Sequence, residues 1–261
     1  MIRFSKKYIV IFSIVILVVV SFSMILRSIY VVPVLMYHKI DENAEVSKLS
    51  VSLKSFSRQM KFLRDNNYNV LSLSELAELI NSKKPISYKT VVVAFDDGYE
   101  NNYTNAFSSL KEYNIPATIF IPVNKIGKKG YLTWSQLKEM SSNGIDIGSH
   151  TLSECYLPDI KDDNRLWDEI SRSRKLLRAK IPGASDFIAY CSGGFNEKIR
   201  QMVIDVGYKG ACATNPGPYY PDDDIYAIKR VRISRTSDNL FVFWIETSGF
   251  YTWIKEHRDD E

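Results

Sequence analysis

The stretch that most constrains this chain is Val91-Val92-Val93-Ala94-Phe95-Asp96-Asp97-Gly98-Tyr99. Five consecutive apolar residues, three of them valines, read as a strand buried on both faces. Two adjacent carboxylates follow at its end, and Gly98 then permits a sharp turn. Like charges at contact distance resist joint ionisation, so burying both unpaired would be costly. A cation resolves the conflict: one carboxylate binds it while its neighbour handles a proton. The plainer reading of the same residues is a polar strand end that caps the next helix.

The rest of the 261 residues supplies a setting for that strand. A strand is expected over 31–40, ending in Tyr37-His38-Lys39. After a Ser-rich loop come a helix over 54–66, a strand over 68–73 and a helix opened by a capping box at Ser74. Beyond Gly98 the pattern predicts helix 102–113, strand 117–121, helix 134–142 and strand 145–148, which ends at Ser149-His150-Thr151. Helix 163–179 and strand 187–190 follow, with Cys191-Ser192-Gly193-Gly194 at the strand's end. Asn196 caps a helix to 206; strands near 210–214 and 227–234 and an aromatic-rich helical segment from 239 complete the chain. Strands alternating with helices predict an α/β fold with a parallel sheet, and this many units can close into a (β/α) barrel. In such barrels functional side chains gather where strands end. His38, Asp96, Asp97, His150 and the Ser192 turn all sit at such ends, so residues far apart in sequence converge on one rim.

Residues 8–26 carry no charge and are almost wholly apolar. At about 1.5 Å per residue this run approaches the ~30 Å hydrocarbon core of a bilayer. Arg3, Lys6 and Lys7 precede it and only Arg27 closely follows, so the positive-inside bias sends the remainder across the membrane. Residues 1–30 are therefore read as an uncleaved anchor and 31–261 as the exported domain; a cleavable signal peptide is the rival reading, with the same destination outside the cytoplasm. The net charge of +4 is spread over a mixed surface without a dense basic cluster, which argues against nucleic acid as a partner. Three cysteines, Cys155, Cys191 and Cys212, allow at most one internal disulfide and do not make a framework.

These motifs, in this order, resemble the polysaccharide deacetylases (NodB-homology domains, carbohydrate esterase family 4) over about residues 31–250, and most of all the branch acting on poly-N-acetylglucosamine. Ala94-Phe95-Asp96-Asp97-Gly98-Tyr99 looks like that family's Thr-Phe-Asp-Asp-Gly-Tyr motif. Ser149-His150-Thr151 looks like the start of its Ser-His-Thr-x-x-His motif, and Ala189-Tyr190-Cys191-Ser192-Gly193-Gly194 stands where the third motif has Tyr-Pro-Tyr-Gly. The resemblance implies a distorted barrel of the NodB type and metal-assisted hydrolysis of N-acetyl groups on a cell-surface or extracellular N-acetylglucosamine polysaccharide. Asp97 and His150 would bind a divalent metal, usually zinc in this family, with cobalt, nickel or manganese as alternatives. Asp96 would be general base towards a metal-bound water, and a backbone N–H at Ser192, in the Ser192-Gly193 turn, would steady the oxyanion.

The chain departs from the family pattern in three places. The second metal-binding His is replaced by Glu154, which is four residues beyond His150 and an acceptable third ligand. The late Leu-x-His that supplies the acid is not apparent; His38 is the better substitute, since His257 lies in a charged tail. The third motif lacks Arg and has Cys191-Ser192 for Pro-Tyr, so the base-orienting arginine is sought on the late strand, at Arg230 or Arg232. Trp134, Tyr219, Tyr220, Phe241, Trp244, Tyr251 and Trp253 are candidate sugar-stacking residues or core. Two readings of other classes stay open: a glycan-binding relative that has lost its acid, and a hydrolase of another acyl group with the same metal logic.

Overall fold

The computed structural model describes residues 6–42, 49–214 and 221–258. It opens with helix α1 (Lys6–Ser28), whose segment Val10–Ser28 is strongly apolar and has no residue buried inside the protein. This helix is long and apolar enough to cross a membrane.

Eight strands form one sheet in the order β10-β1-β5-β6-β7-β8-β9, with β4 beside the start of β5. They are β1 (Val34–Tyr37), β4 (Asn69–Leu71), β5 (Thr90–Phe95), β6 (Ala117–Ile121), β7 (Ile145–Ser149), β8 (Phe187–Ala189), β9 (Gly210–Cys212) and β10 (Arg230–Arg232). Every pairing is parallel. Beyond β9, the Ala213 amide donates to Ile228 and the Arg230 amide to Thr214, which brings the two edges together into a nearly closed barrel. A short parallel pair, β2 (Lys39–Asp41) and β3 (Ser50–Ser52), sits above the end of β1. The expected α/β barrel is the observed one.

Helices α2 (Leu53–Asp65), α3 (Leu73–Asn81), α4 (Phe107–Glu112), α5 (Trp134–Ser142), α6 (Asp163–Lys180) and α7 (Glu197–Val206) are the crossovers that parallel strands require. Two further helices, α8 (Leu240–Glu246) and α9 (Tyr251–Arg258), follow β10. The α3 cap falls at Ser72, not Ser74: Ser72 has Glu75 at the third helical position, and both arms of the capping box form. The expected strand over 31–40 breaks into β1 and β2 around His38.

Alternation along the strands sorts side chains between the barrel interior and an outer layer, the latter divided into two clusters, one of which packs Ile188 and Ala211 against α6 and α7. Leu35, Val91, Val93, Phe95 and Ile119 pack outward against Phe56, Met60 and Leu63 of α2 and Leu110 of α4. Val34, Val92, Ala94, Phe120, Phe187, Ala189 and Cys212 fill the barrel. Gly148 is required in this wall, because a Cβ there would stand 2.8 Å from the Phe120 ring. Continuing the parity upward places the side chains of Asp96, after Val92 and Ala94, and of His38, after Val34, on the barrel side.

Candidate active site

Asp96 is 3% exposed and held by Arg230, whose two terminal nitrogens donate to the two carboxylate oxygens at 2.7 and 2.9 Å. The Arg230 Nε–H donates to the Ala213 carbonyl at 2.9 Å, so the guanidinium is fixed by the strand closing the barrel. Burial raises the Asp96 carboxyl, but Arg230, His150 and His38 together hold it below the usual carboxylate range. The base candidate is thus an ionised carboxylate with a locked orientation.

Asp97 breaks strand parity through a left-handed backbone, φ 69°, followed by Gly98 at φ 65°. The left-handed conformation favours glycine at 98, and a Cβ there would also push aside the Cδ1 end of Ile121, at 2.7 Å. The turn brings Asp97 Oδ1 to 3.5 Å from His150 Nε2. His150 Nδ1 lies 2.8 Å from the Ala189 carbonyl, which calls for the proton on that nitrogen and turns Nε2 towards Asp97, as a proton donor in the protonated ring and as a lone pair once a cation replaces that proton. Burial pulls the His150 imidazole down, while Cys191, Asp96 and Asp97 more than offset it and lift it to about 10. Such negative potential at Nε2 suits a cation.

His38 reaches the same rim. Its imidazole feels Asp96, Asp97, Arg230 and His150; burial lowers its pKa, and the two carboxylates oppose that. Its Nδ1 is buried without a hydrogen-bond partner among the described residues. The helical turn Asn102–Ala106 that leads into α4 sets its backbone: Asn102 Nδ2 donates to the His38 carbonyl at 2.7 Å, and Asn105 Nδ2 to the Ile40 carbonyl at 2.6 Å.

The third ligand position differs from the simplest expectation. Glu154 is left-handed, φ 60°, and its carboxylate forms an ion pair with Lys125 instead of turning to Asp97 and His150. Among the described residues no three His, Cys, Asp or Glu side chains are grouped to hold a metal by themselves. The donors that fit a divalent cation are Asp97 and His150, with the orphaned His38 Nδ1 nearby. The loop carrying Glu154 is anchored from below by a residue that sequence patterns did not single out. Buried Glu169 of α6 accepts from the Leu152 and Ser153 amides at 3.1 and 2.9 Å, and from the Ser153 hydroxyl at 2.6 Å.

In the third motif Ser192 is left-handed, φ 54°, and exposed at the rim. The Gly193 amide already donates to the Tyr190 carbonyl at 2.9 Å, which removes Gly193 as an oxyanion donor and leaves Ser192. A Cβ on Gly193 would strike the Thr214 amide nitrogen at 2.7 Å. Cys191 is buried beside His150, its thiol donating to the His150 carbonyl at 3.5 Å; all three cysteines are free. Arg232 is exposed, whereas Arg230 faces the barrel. Among the aromatic candidates, Tyr219 and Tyr220 lie outside the described residues, Trp134 packs on the outer core, and Phe241 and Trp244 form an exposed pair at 5.6 Å.

This geometry belongs to a recognisable group of proteins. The polysaccharide deacetylase family profile matches residues 83–211. YxkH of Bacillus subtilis (strain 168), assigned to the polysaccharide deacetylases, is 36% identical over 82% of this chain and 76% of its own length. The poly-beta-1,6-N-acetyl-D-glucosamine N-deacetylase of Staphylococcus aureus (strain COL) is 27% identical over 83% of this chain and 76% of its own. Among solved structures, the Streptococcus pyogenes deacetylase PplD in complex with acetate superposes with a TM-score of 0.72 at 26% identity, covering 81% of this chain and 97% of that one. The barrel, the order of its motifs and these relatives agree: the chain belongs to the polysaccharide deacetylase family, hydrolases that act on amide bonds.

Proposed function

We propose that the chain is a metal-dependent deacetylase of an extracellular N-acetylglucosamine polysaccharide, with residues 31–261 as the catalytic domain and α1 as its anchor on the extracytoplasmic side. One observation carries the reading: a carboxylate locked by arginine stands beside an Asp–His pair and a buried histidine on one rim. Asp97 and His150 would hold the metal, with zinc favoured by the imidazole and carboxylate donors. When bound, that ion supplies Lewis acidity and a lowered pKa for water.

The chain's own groups account for the remaining steps. Asp96, fixed by Arg230, accepts a proton from the attacking water as its oxygen bonds to the acetyl carbonyl carbon. The Ser192 N–H faces the negative charge that develops on the carbonyl oxygen. His38 then donates a proton to the sugar nitrogen as the carbon–nitrogen bond breaks, leaving acetate and an amine. A depressed imidazole pKa makes the protonated form a stronger acid for that transfer.

The Lys125–Glu154 ion pair favours a second reading, a glycan-binding relative without turnover, because it leaves two protein donors for the metal. Acetate release from chitooligosaccharides and poly-N-acetylglucosamine by the full chain in detergent, with zinc, cobalt, nickel or manganese, separates the two. Metal-dependent release that disappears in Asp96→Asn is expected. Glycan and metal binding without release under any of the metals would overturn the catalytic reading for these substrates.

A further inference from the structure

The opposite end of the barrel has its own chemistry. Parallel strands place all the residues above at their C-terminal ends, so the N-terminal ends form a separate face. Helix α1 enters there. Only a few residues separate its end at Ser28 from the fold: the Val31 amide donates to the Gly249 carbonyl at 2.9 Å, and Val32 belongs to the barrel core. At about 3.5 Å per extended residue, this link is roughly 10 Å or less. A bilayer spanned by α1 would therefore lie directly against this face.

The face is built of residues that suit a headgroup layer. Arg27 lies over the rings of Tyr30 and Tyr88, at 5.7 and 5.5 Å from their centres. Tyr30 packs edge-on against Tyr88 at 4.9 Å and Phe250 at 5.8 Å, and its hydroxyl donates to the Ser87 carbonyl at the foot of β5. Tyr88 is 50% exposed, and on the neighbouring α9 Trp253 and Ile254 are 40% and 50% exposed. Amphipathic aromatic rings of this kind concentrate where membrane meets water. Beside them runs a groove of about 360 Å³, with Ile80 and Ile86 on its apolar wall and Arg27, Lys83 and Lys84 on its polar one. Two carboxylates also line it, Asp223 and Asp222, the latter paired with Lys229 at 2.8 Å. Cations exceed anions there by two, since four basic side chains face two acidic ones.

We infer that this face is a membrane seat: the foot of the barrel rests in the headgroups of an anionic bilayer, with Arg27, Lys83 and Lys84 against lipid phosphates and the Tyr30–Tyr88 cluster at the interface. The inference rests on α1 being a retained anchor. Its consequence for the chemistry is one of height. The six-residue β5, at about 3.3 Å per residue and the roughly 36° tilt of barrel strands, carries Asp96 about 16 Å above the seat. The rim then opens away from the membrane, towards polymer strands outside it and not towards sugars attached to lipid.

The test uses the full chain in nanodiscs of phosphatidylcholine, with and without phosphatidylglycerol, and a water-soluble amine-acylating reagent read by mass spectrometry. Lys83 and Lys84 should react several-fold more slowly in the anionic discs than in detergent, while Lys128 and Lys129, on the loop after β6 at the other end, react equally in both. Lys83→Gln/Lys84→Gln should leave co-elution with the disc intact, and should expose Tyr88 to a soluble quencher of tyrosine emission. Equal lysine reactivity in disc and detergent, with the chain still co-eluting, would overturn the seat and leave the anchor standing. A chain that elutes apart from the discs in high salt would overturn both. Neither result bears on acetate release, so the deacetylase reading is tested separately.

Discussion

Replacing Arg230 by Gln tests the arrangement at its most exposed assumption, that the Asp96 charge depends on one partner. Arg230 and Asp96 have side chains only 1% and 5% exposed, and two hydrogen bonds join them. Removing one member of a buried pair leaves an uncompensated charge and costs about 3–5 kcal/mol. At ~2–4 °C per kcal/mol for a domain of this size, Tm should fall by about 6–20 °C. The sign of the pH dependence should also reverse. In the native protein the Asp96 carboxyl is depressed, so the pair's stabilisation is present above the ordinary value of 3.8 and is lost as pH falls through the folded value. In Arg230→Gln, burial dominates and raises the carboxyl, so stability is lost as pH rises. In acetate-release assays the acid limb of kcat/KM should move upward by about 1–3 pH units, the usual effect of an adjacent guanidinium on a carboxylate. Arg230→Lys keeps the charge but not the fork and should fall between the two. Asp96→Asn added to Arg230→Gln should recover part of the lost Tm, because no buried charge remains. An Arg230→Gln protein with native Tm and an unmoved acid limb would refute the assignment of Arg230 as the residue that holds the base.

Two further substitutions probe groups that the sequence did not flag. Glu246 is 4% exposed, accepts from the Ser237 hydroxyl at 3.1 Å, and is pushed up by burial from 4.5 to about 7. Its neutral form suits the fold, so stability should decline as pH rises from about 4.5 to 7; Glu246→Gln should remove that slope and raise stability above pH 7 by at most about 3 kcal/mol, read by urea denaturation at several pH values. A parallel pH slope in the variant would contradict the burial argument. Lys125→Met should free the Glu154 carboxylate and add negative charge near Asp97 and His150, tightening zinc or manganese binding about twofold to fivefold, the equivalent of ~0.5–1 kcal/mol for a pair whose side chains are 26% exposed. Competition titration with a chelating dye would read it, and an affinity unchanged or weakened would show that Glu154 does not act on the cation.

The fold was legible because its strands are short, apolar and bounded by turn residues. Strand 117–121 and helix 134–142 match the observed elements residue for residue, and Asn196 caps α7 as expected. Expectations slipped where a local signal had a near twin. Ser72 and Ser74 both precede an apolar helix, but only Ser72 has Glu at the third following position. The late strand was expected over 227–234, yet only Arg230–Arg232 pairs as β10, because the preceding residues already bond to β9 and its extension.

The site was legible to the extent that it follows from strands alone. A residue just beyond a parallel strand lies on the rim wherever that strand falls in the sequence, so His38, Asp96 and His150 could be brought together without knowing a contact. Arg230 was legible only in part: the arginine missing from the third motif pointed to the late strand, and Arg230 is separated from Arg232 by the structure, which buries the first on Asp96 and exposes the second. Contacts between loops obey no such rule. Lys125 and Glu154 meet because the segment after β6 and the segment after β7 hydrogen-bond side by side, Val123 and Asn124 donating to Thr151 and Leu152, and no periodicity announces that register. Glu169 is likewise an acidic residue on a charged helix until the loop it holds is seen. The same distinction separates the secure part of the chemistry from the variable part. Asp96 and His150 are set by strand ends and Asp97 by the turn that follows β5, whereas the place of the Glu154 carboxylate depends on loops whose pairing can change with one lysine. If Asp97 and His150 hold a metal as proposed, a change on the Glu154 loop would alter the cation's surroundings without disturbing the Asp96–Arg230 pair.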